Sequence, residues 1–417
     1  MSVLGEFVAD SRAAGQLVVQ PRMGFASPEK MRTGLLATKE LPEPTVGTIT
    51  LDSYTRLGDS AAAQRALRAG DELNGYPIVS HPLAVTRDML TGIADQTFPV
   101  QVRHGSPSPE RIFDRMVQLG LGASEGGPVS YCLPYGRSPL EVSVSSWVRG
   151  CALLCRLRDR GIEPHLETFG GCLLGQLCPP SLLVALSVLE AAFFAQNKVR
   201  CVSLSYAQQV HFQQDREAVA ALRTLAARFL PEVTWHVVIY AYMGMYPVTP
   251  VGAMRLLKQA VHLAVVTGSE RIIVKTAVEA SRIPTIAENL AALQFAATSA
   301  REALVLDSEP KDTGILAEAT ALVQATLDLH SDIGTALKTA FARGYLDVPF
   351  CLHPDNGGRT SCRIDGEGRL VWADSGSLPV PEPVSGRGNP LTSAELLTAL
   401  GRVCTQFDAY ETEGNHR

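Results

Sequence analysis

CVSLSY at 201–206, DREAVAALRTLAARF at 215–229, WHVVIY at 235–240, GAMRLLKQAVHLAVV at 252–266 and RIIVKT at 271–276 form the stretch that decides the fold. The short runs are apolar and favour extended backbone. The longer segments repeat their apolar positions every three to four residues, so strands alternate with amphipathic helices. A strand, a crossover helix and a second strand of one sheet make a parallel pair. Toward the C-terminus the alternation continues into AENLAALQFAATSARE at 287–302. Toward the N-terminus it runs through SLLVALSVLEAAFFAQ (181–196), HLETF (165–169), PVSY (128–131), FPVQVR (98–103), GTITLD (47–52) and GQLVVQ (15–20). Eight strands with helices between them predict an α/β fold, a (β/α)8 TIM barrel over 15–305, preceded by an N-terminal segment at 1–14. A doubly wound open sheet is compatible with the same alternation. After 305 the pattern changes: two helices are predicted at 312–329 and 333–343. A Pro/Gly-rich tail follows, in which SCRIDGEGRLVWAD (361–374) reads as a hairpin with Asp-Gly in its turn. Residues 306–417 are thus expected to form a C-terminal helical and hairpin extension packed on the barrel.

The 417 residues are 46% apolar and 19% charged, with a formal charge of -5, which excludes nucleic-acid binding by bulk charge. The start MSVLGEFVADSRAAG has no basic stretch leading into an apolar core, so no secretory signal is read there. The apolar segment 181–196 follows Pro179 and Pro180 and carries Glu190, so it reads as a buried helix and not a membrane span. Nine cysteines without a CxxC pair point to free thiols in a reducing cytoplasm and to no metal site.

In a barrel of this kind, chemistry sits where strands end and enter the loops that lead to helices. Those positions hold Arg22, Arg56, Arg103, His104, Lys275 and Glu279. A single arginine near a strand end is ordinarily a rim residue or half of a structural ion pair. Three on one mouth call for an anion to neutralise them, and they suggest a substrate with carboxylates or phosphates. Phosphate is the poorer fit, because Ser124-Glu125-Gly126-Gly127 puts a carboxylate where a phosphate loop needs bare amides. Glu125 among arginines suits a ligand with an ammonium group as well as carboxylates, an amino dicarboxylic acid. Tyr131 and Tyr135 are either hydroxyl donors or packing aromatics.

QPRMG (20–24), LDSYTR (51–56), LNGYP (73–77), VRHGSP (102–107), SEGGPVSYCLPYGR (124–137), CPPS (178–181), YMGMYP (242–247) and IIVKTAVEASRIPT (272–285) together resemble the large (epsilon) subunit of adenosylcobalamin-dependent glutamate mutase, also called methylaspartate mutase. The resemblance runs in order over most of the chain. It implies an isomerase that interconverts L-glutamate and threo-3-methylaspartate by a radical rearrangement. It also implies that Arg22, Arg56 and Arg103 clamp the substrate carboxylates, that His104 touches substrate, that Glu125 holds the amino group, and that Tyr131 and Tyr135 bind a carboxylate. For adenosylcobalamin it implies Gly24, Asn74, Pro134, Tyr246, Lys275, Glu279 and Ile283. The implied partner is a small cobalamin-binding subunit carrying DxHxxG, in a heterotetramer or other heteromer.

Within this chain, Asp328-Leu329-His330-Ser331-Asp332-Ile333-Gly334 comes near DxHxxG but places the glycine one residue late and follows a helix, so His330 is not expected to ligate cobalt. The chain departs from the family pattern at Tyr240, Ala241 and Tyr242, where more polar and bulkier residues are usual, at Arg271, where lysine is usual, and at Tyr206-Ala207-Gln208 in place of a Gly-rich loop. The altered 240–246 segment keeps open a mutase for a related amino or hydroxy diacid in a specialised pathway; a barrel that is a non-catalytic partner is a further alternative, against which the three arginines, Glu125, Lys275 and Glu279 speak.

Overall fold

The computed structural model describes residues 1–134, 136–172, 177–279, 281–304, 309–381 and 391–409. Eight parallel strands form one sheet: β1 (Val18–Gln20), β2 (Gly47–Thr50), β3 (Val100–Arg103), β4 (Ala123–Gly126), β5 (His165–Thr168), β6 (Cys201–Ala207), β7 (Thr234–Tyr240) and β8 (Arg271–Ile273). β1 pairs with β8, and β2 through β8 pair in sequence order. The first and second strands meet through a parallel bridge between Val19 and Thr45 and a hydrogen bond from Thr50 N–H to the Met23 carbonyl. The chain is therefore a (β/α)8 barrel, and not an open sheet.

One predicted strand is misplaced. The segment 128–131 winds into a turn, with Tyr131 N–H donating to the Gly127 carbonyl and Leu133 N–H to that of Val129. The fourth strand is instead Ala123–Gly126, whose small residues give no apolar run to read. Gly126 and Gly127 let the loop turn back tightly. A side-chain carbon on Gly126 would lie 2.5 Å from the Tyr131 ring, and one on Gly127 would lie 1.9 Å from the Glu190 carboxylate.

Helices start where their sequences provide caps. Thr285 and Glu288 form a reciprocal cap on the helix Ile286–Glu302, and Thr249 caps Pro250–Val266. The helix Pro180–Gln196 is buried on all sides, because its outer face is covered by the helix Ile315–Leu327 from the C-terminal part. That second layer explains why its sequence is apolar around its whole circumference. The helix Val3–Ala13 packs Leu4 and Val8 against Val18, Val46 and Ala123 at the N-terminal end of the barrel. Toward the C-terminus follow the helix Ile333–Arg343, the antiparallel hairpin β9 (Ser361–Ile364) and β10 (Leu370–Asp374), and the helix Ser393–Asp408. In the hairpin turn the left-handed residue is Gly368, while the Asp365 carboxylate accepts the N–H groups of Glu367 and Arg369.

Among the described residues no helix is long and apolar enough to cross a membrane. His330 lies exposed between two helices, its Nδ1 accepting the Asp332 N–H.

Candidate functional site

Arg22, Arg56, Arg103, His104, Glu125 and Tyr131 line one cavity of about 330 Å³ at the C-terminal end of the barrel, with Thr50, Ser53, Leu57, Gly105, Phe169 and Met243. Arg22 sits two residues past β1. Arg56 is on a short helix, Ser53–Leu57, that Asp52 caps directly after β2. Arg103 ends β3, His104 follows it, and Glu125 faces inward from β4, level with Glu167 of β5 in the strand register. Barrel closure thus brings together six side chains that are up to 109 residues apart in sequence.

The floor of the cavity is an ion pair. Arg103 Nε donates to Glu125 Oε2 at 2.8 Å, and both side chains are almost wholly buried. The Tyr131 hydroxyl donates to the other Glu125 oxygen. Burial and the neighbouring Glu125 push the Tyr131 hydroxyl well above its usual pKa, so it stays a donor.

His104 Nδ1 accepts the Ser106 N–H at 3.0 Å, which places the ring proton on Nε2. Burial pushes its pKa down to about 3, opposed by the Glu125 backbone and helped by the Arg56 cation, so the ring is neutral. Among the described residues the Nε2 atom has no hydrogen-bond partner. The Nε atoms of Arg22 and Arg56 are buried and unpaired as well. Such orphans are costly unless something else satisfies them, and their concentration in one cavity marks a ligand site.

Of the residues expected at the cofactor, Glu279 and Lys275 lie next to Arg22 of this cavity. Arg22 Nη1 donates to Glu279 Oε2 at 3.0 Å, and the other Glu279 oxygen accepts the Thr276 N–H at 2.9 Å. Lys275 Nζ lies 4.2 Å from the centre of the buried Tyr246 ring. Burial, with Arg22 adding to it and Glu279 opposing it, pushes the Lys275 pKa down to about 8. The hydroxyls of Tyr246 and Thr276 are buried without partners. Asn74 is exposed, and its Oδ1 accepts from the N–H and hydroxyl of Ser53. Pro134 ends the turn after β4, and Ile283 is exposed in the loop after β8. Gly24 is buried where a side-chain carbon would lie 2.3 Å from the Thr50 carbonyl, so its contact is with β2. Tyr135 lies outside the described residues.

Three further side chains join the site: Tyr240, marked in the sequence only as a departure from the family pattern, and Glu167 and Glu190, which lie within a strand and a helix. Tyr240 ends β7, and its hydroxyl lies 2.7 Å from Glu125 Oε2 and also contacts Glu167. Glu167 pairs with Arg271 across the barrel interior, both fully buried. Burial disfavours its charge, but Arg271 outweighs that and holds it below the usual carboxylate range. The third is Glu190, on the helix Pro180–Gln196. Its carboxylate accepts the N–H groups of Val129, Ser130, Phe169 and Gly170 and the hydroxyl of Ser130. It therefore fixes the loops after β4 and β5 that carry Tyr131 and Phe169. The available signal was a carboxylate inside a strand (HLETF) and another inside an apolar helix, because buried charges need partners.

A family model described as the methylaspartate mutase E chain matches residues 2–389. A glutamate mutase epsilon subunit of Desulfitobacterium hafniense is 30% identical over 90% of this chain and 81% of its own length. One from Haloarcula marismortui is 29% identical over 91% of this chain and 80% of its own. Among solved structures, a sialic acid aldolase of Ruminococcus gnavus aligns with 95% of this chain and 98% of its own at 10% identity and a TM-score of 0.33, too slight a likeness to bear on function.

Proposed function

The chain belongs to the methylaspartate mutase E chain family, and from that premise we propose that it is the catalytic subunit of an adenosylcobalamin-dependent mutase interconverting L-glutamate and threo-3-methylaspartate. The observation that carries this reading is the charge pattern of the cavity: three guanidiniums around one carboxylate, with unpaired N–H donors on Arg22, Arg56 and His104. That is the complement of a ligand with two carboxylates and one ammonium.

In this reading Arg22 and Arg56 fix the orientation of the two carboxylates together with Arg103, and the neutral His104 adds an Nε2–H donor. Glu125, aligned by Arg103 and Tyr131, receives the ammonium. Phe169, Leu57 and Met243 give the cavity apolar walls that keep water from the reacting carbons. Adenosylcobalamin, when bound, supplies the radical chemistry that a protein side chain cannot. The partnerless Tyr246 and Thr276 hydroxyls, with Lys275 and Glu279 beside them, fit the hydroxyl-rich adenosine portion of that cofactor. Leu57 at the end of its short helix and Met245, Val248 and Ile283 on the surrounding loops are exposed and would suit the corrin and a small cobalamin-binding subunit carrying DxHxxG. The barrel of residues 15–305 would be the catalytic unit, with 306–417 an extension upon it, working in the cytoplasm.

Mixing the protein with such a small subunit, adenosylcobalamin and L-glutamate should yield 3-methylaspartate. Arg103→Lys removes a charge-assisted hydrogen bond of about 1.5–3 kcal/mol, so kcat/KM should fall roughly 10- to 150-fold. A complex that binds cofactor but converts another diacid in place of glutamate would overturn the substrate assignment.

A further inference from the structure

We propose that Tyr240 is a proton relay joining Glu125 to Glu167, so that the carboxylate facing the substrate ammonium exchanges one proton with a second carboxylate deeper in the barrel. The role given to Glu125 rests on the function proposed above; the proton count does not.

The Tyr240 oxygen lies 2.7 Å from Glu125 Oε2 and is also in hydrogen-bond contact with Glu167 Oε1. A phenol carries one proton and can donate to one of these oxygens only. Were both carboxylates ionised, the other contact would set a lone pair against a charged oxygen in a buried site. A second proton removes that conflict, so the trio Glu125, Tyr240 and Glu167 holds two protons and one negative charge.

The outer oxygens are already committed. Glu125 Oε1 accepts from Tyr131, and Glu167 Oε2 accepts from Gln101 at 3.2 Å, Ser203 at 3.0 Å and Arg271. Glu167 Oε1 has Tyr240 as its hydrogen-bond partner. The shared proton therefore has two arrangements. Either the Glu125 carboxyl donates to Tyr240, which donates to Glu167, or the Glu167 carboxyl donates to Tyr240, which donates to Glu125. Conversion breaks one carboxyl O–H and the phenol O–H and forms a new phenol O–H and a new O–H on the opposite carboxyl. The number of protons is unchanged, and one negative charge moves between the glutamates.

Arg271 faces Glu167, and Arg103 faces both Glu125 and the Tyr240 ring, whose centre is 5.2 Å from its guanidinium carbon. Arg103 Nη2 also donates to the Tyr240 oxygen at 3.5 Å, Cys172 is a further titratable group acting on Tyr240, Tyr131 shares Glu125 with it, and Phe169 packs edge-on against its ring. Each arrangement keeps a guanidinium beside the charged end: Arg271 balances an ionised Glu167, and Arg103 balances an ionised Glu125. An arriving ammonium favours the second arrangement, because it pairs with an ionised Glu125.

Infrared difference spectroscopy on the protein alone, without cofactor or partner, tests the count. A buried protonated-carboxyl band is expected that disappears or moves in Glu125→Gln and in Glu167→Gln, shifts in Tyr240→Phe, and shifts again when L-glutamate is added. Tyr240→Phe keeps the ring beside Arg103, and circular dichroism checks its fold. In the reconstituted complex it should lower kcat/KM by roughly tenfold, the value of one buried hydrogen bond, and change the shape of the pH profile. A folded Tyr240→Phe with the band unmoved, or wild-type protein with no such band, overturns the relay. Glutamate turnover without the band would sink the relay and leave the mutase reading intact; the band without glutamate turnover would do the reverse.

Discussion

Arg271 inside the barrel and Arg56 at its mouth are both arginines directed into the same strand ring, and they differ in what they meet. Arg271 donates to Gln20, Glu167, Ser203 and His236 and is fully buried. Gln20 in turn donates to Thr48 and Gln101, so the interior is a closed hydrogen-bond network. Arg56 is half-buried with an unpaired Nε, beside His104 with an unpaired Nε2. Barrel interiors are usually packed with branched apolar side chains, so a polar interior that completes itself is a choice of structure, and a polar mouth that does not is an opening for a ligand. Satisfied charges hold the fold; unsatisfied ones lie where chemistry is expected.

Substitution should separate the two. Arg271→Met leaves Glu167 buried without its cation and should cost about 3–5 kcal/mol, seen as a lower urea midpoint or Tm. Arg56→Met removes no hydrogen-bond partner among the described residues and should leave stability within about 0.5 kcal/mol. If both variants unfold alike, the distinction fails.

A dicarboxylate sharpens the comparison from the other side. Glutamate at about 100 times its Kd should stabilise the wild type by about 2.7 kcal/mol, and this gain should vanish in Arg56→Met while surviving in any folded Arg271 variant.

A smaller effect concerns Lys275. Its pKa falls from 10.5 to about 8 in the folded protein, so between those values the unfolded chain holds a proton that the folded protein lacks. Stability should therefore rise with pH across that window relative to Lys275→Met. A flat difference between the two unfolding curves would show that Lys275 is not held in a desolvated place.

Much of this was legible in the amino-acid order. Seven of the eight strands follow from apolar runs, and the arginines at strand ends share one cavity because parallel strands present their C-terminal ends together. The fourth strand escaped because Ala-Ser-Glu-Gly carries no apolar signal; what defines it is pairing with its neighbours on both sides. Tyr240 and Glu167 lie inside segments that read correctly as strands, yet periodicity says only that a residue points inward, not which side chain it meets across the barrel. Their partners are set by closure, through contacts 73 and 115 residues apart for Tyr240.

Glu190 draws a last consequence from closure. One carboxylate holds four amides and a hydroxyl from two separate loops, so those loops share a single anchor and lose their independence. Tyr131 and Phe169 are then carried as one unit, and a rearrangement on that side of the rim is all or none. Across the cavity, β1 and β8 are paired strands, and past their ends Arg22 and Glu279 add an ion pair between the two sides. The rim thus has two kinds of tie: a buried anchor shared by two loops on one side, and on the other an ion pair whose Arg22 an arriving carboxylate would compete for.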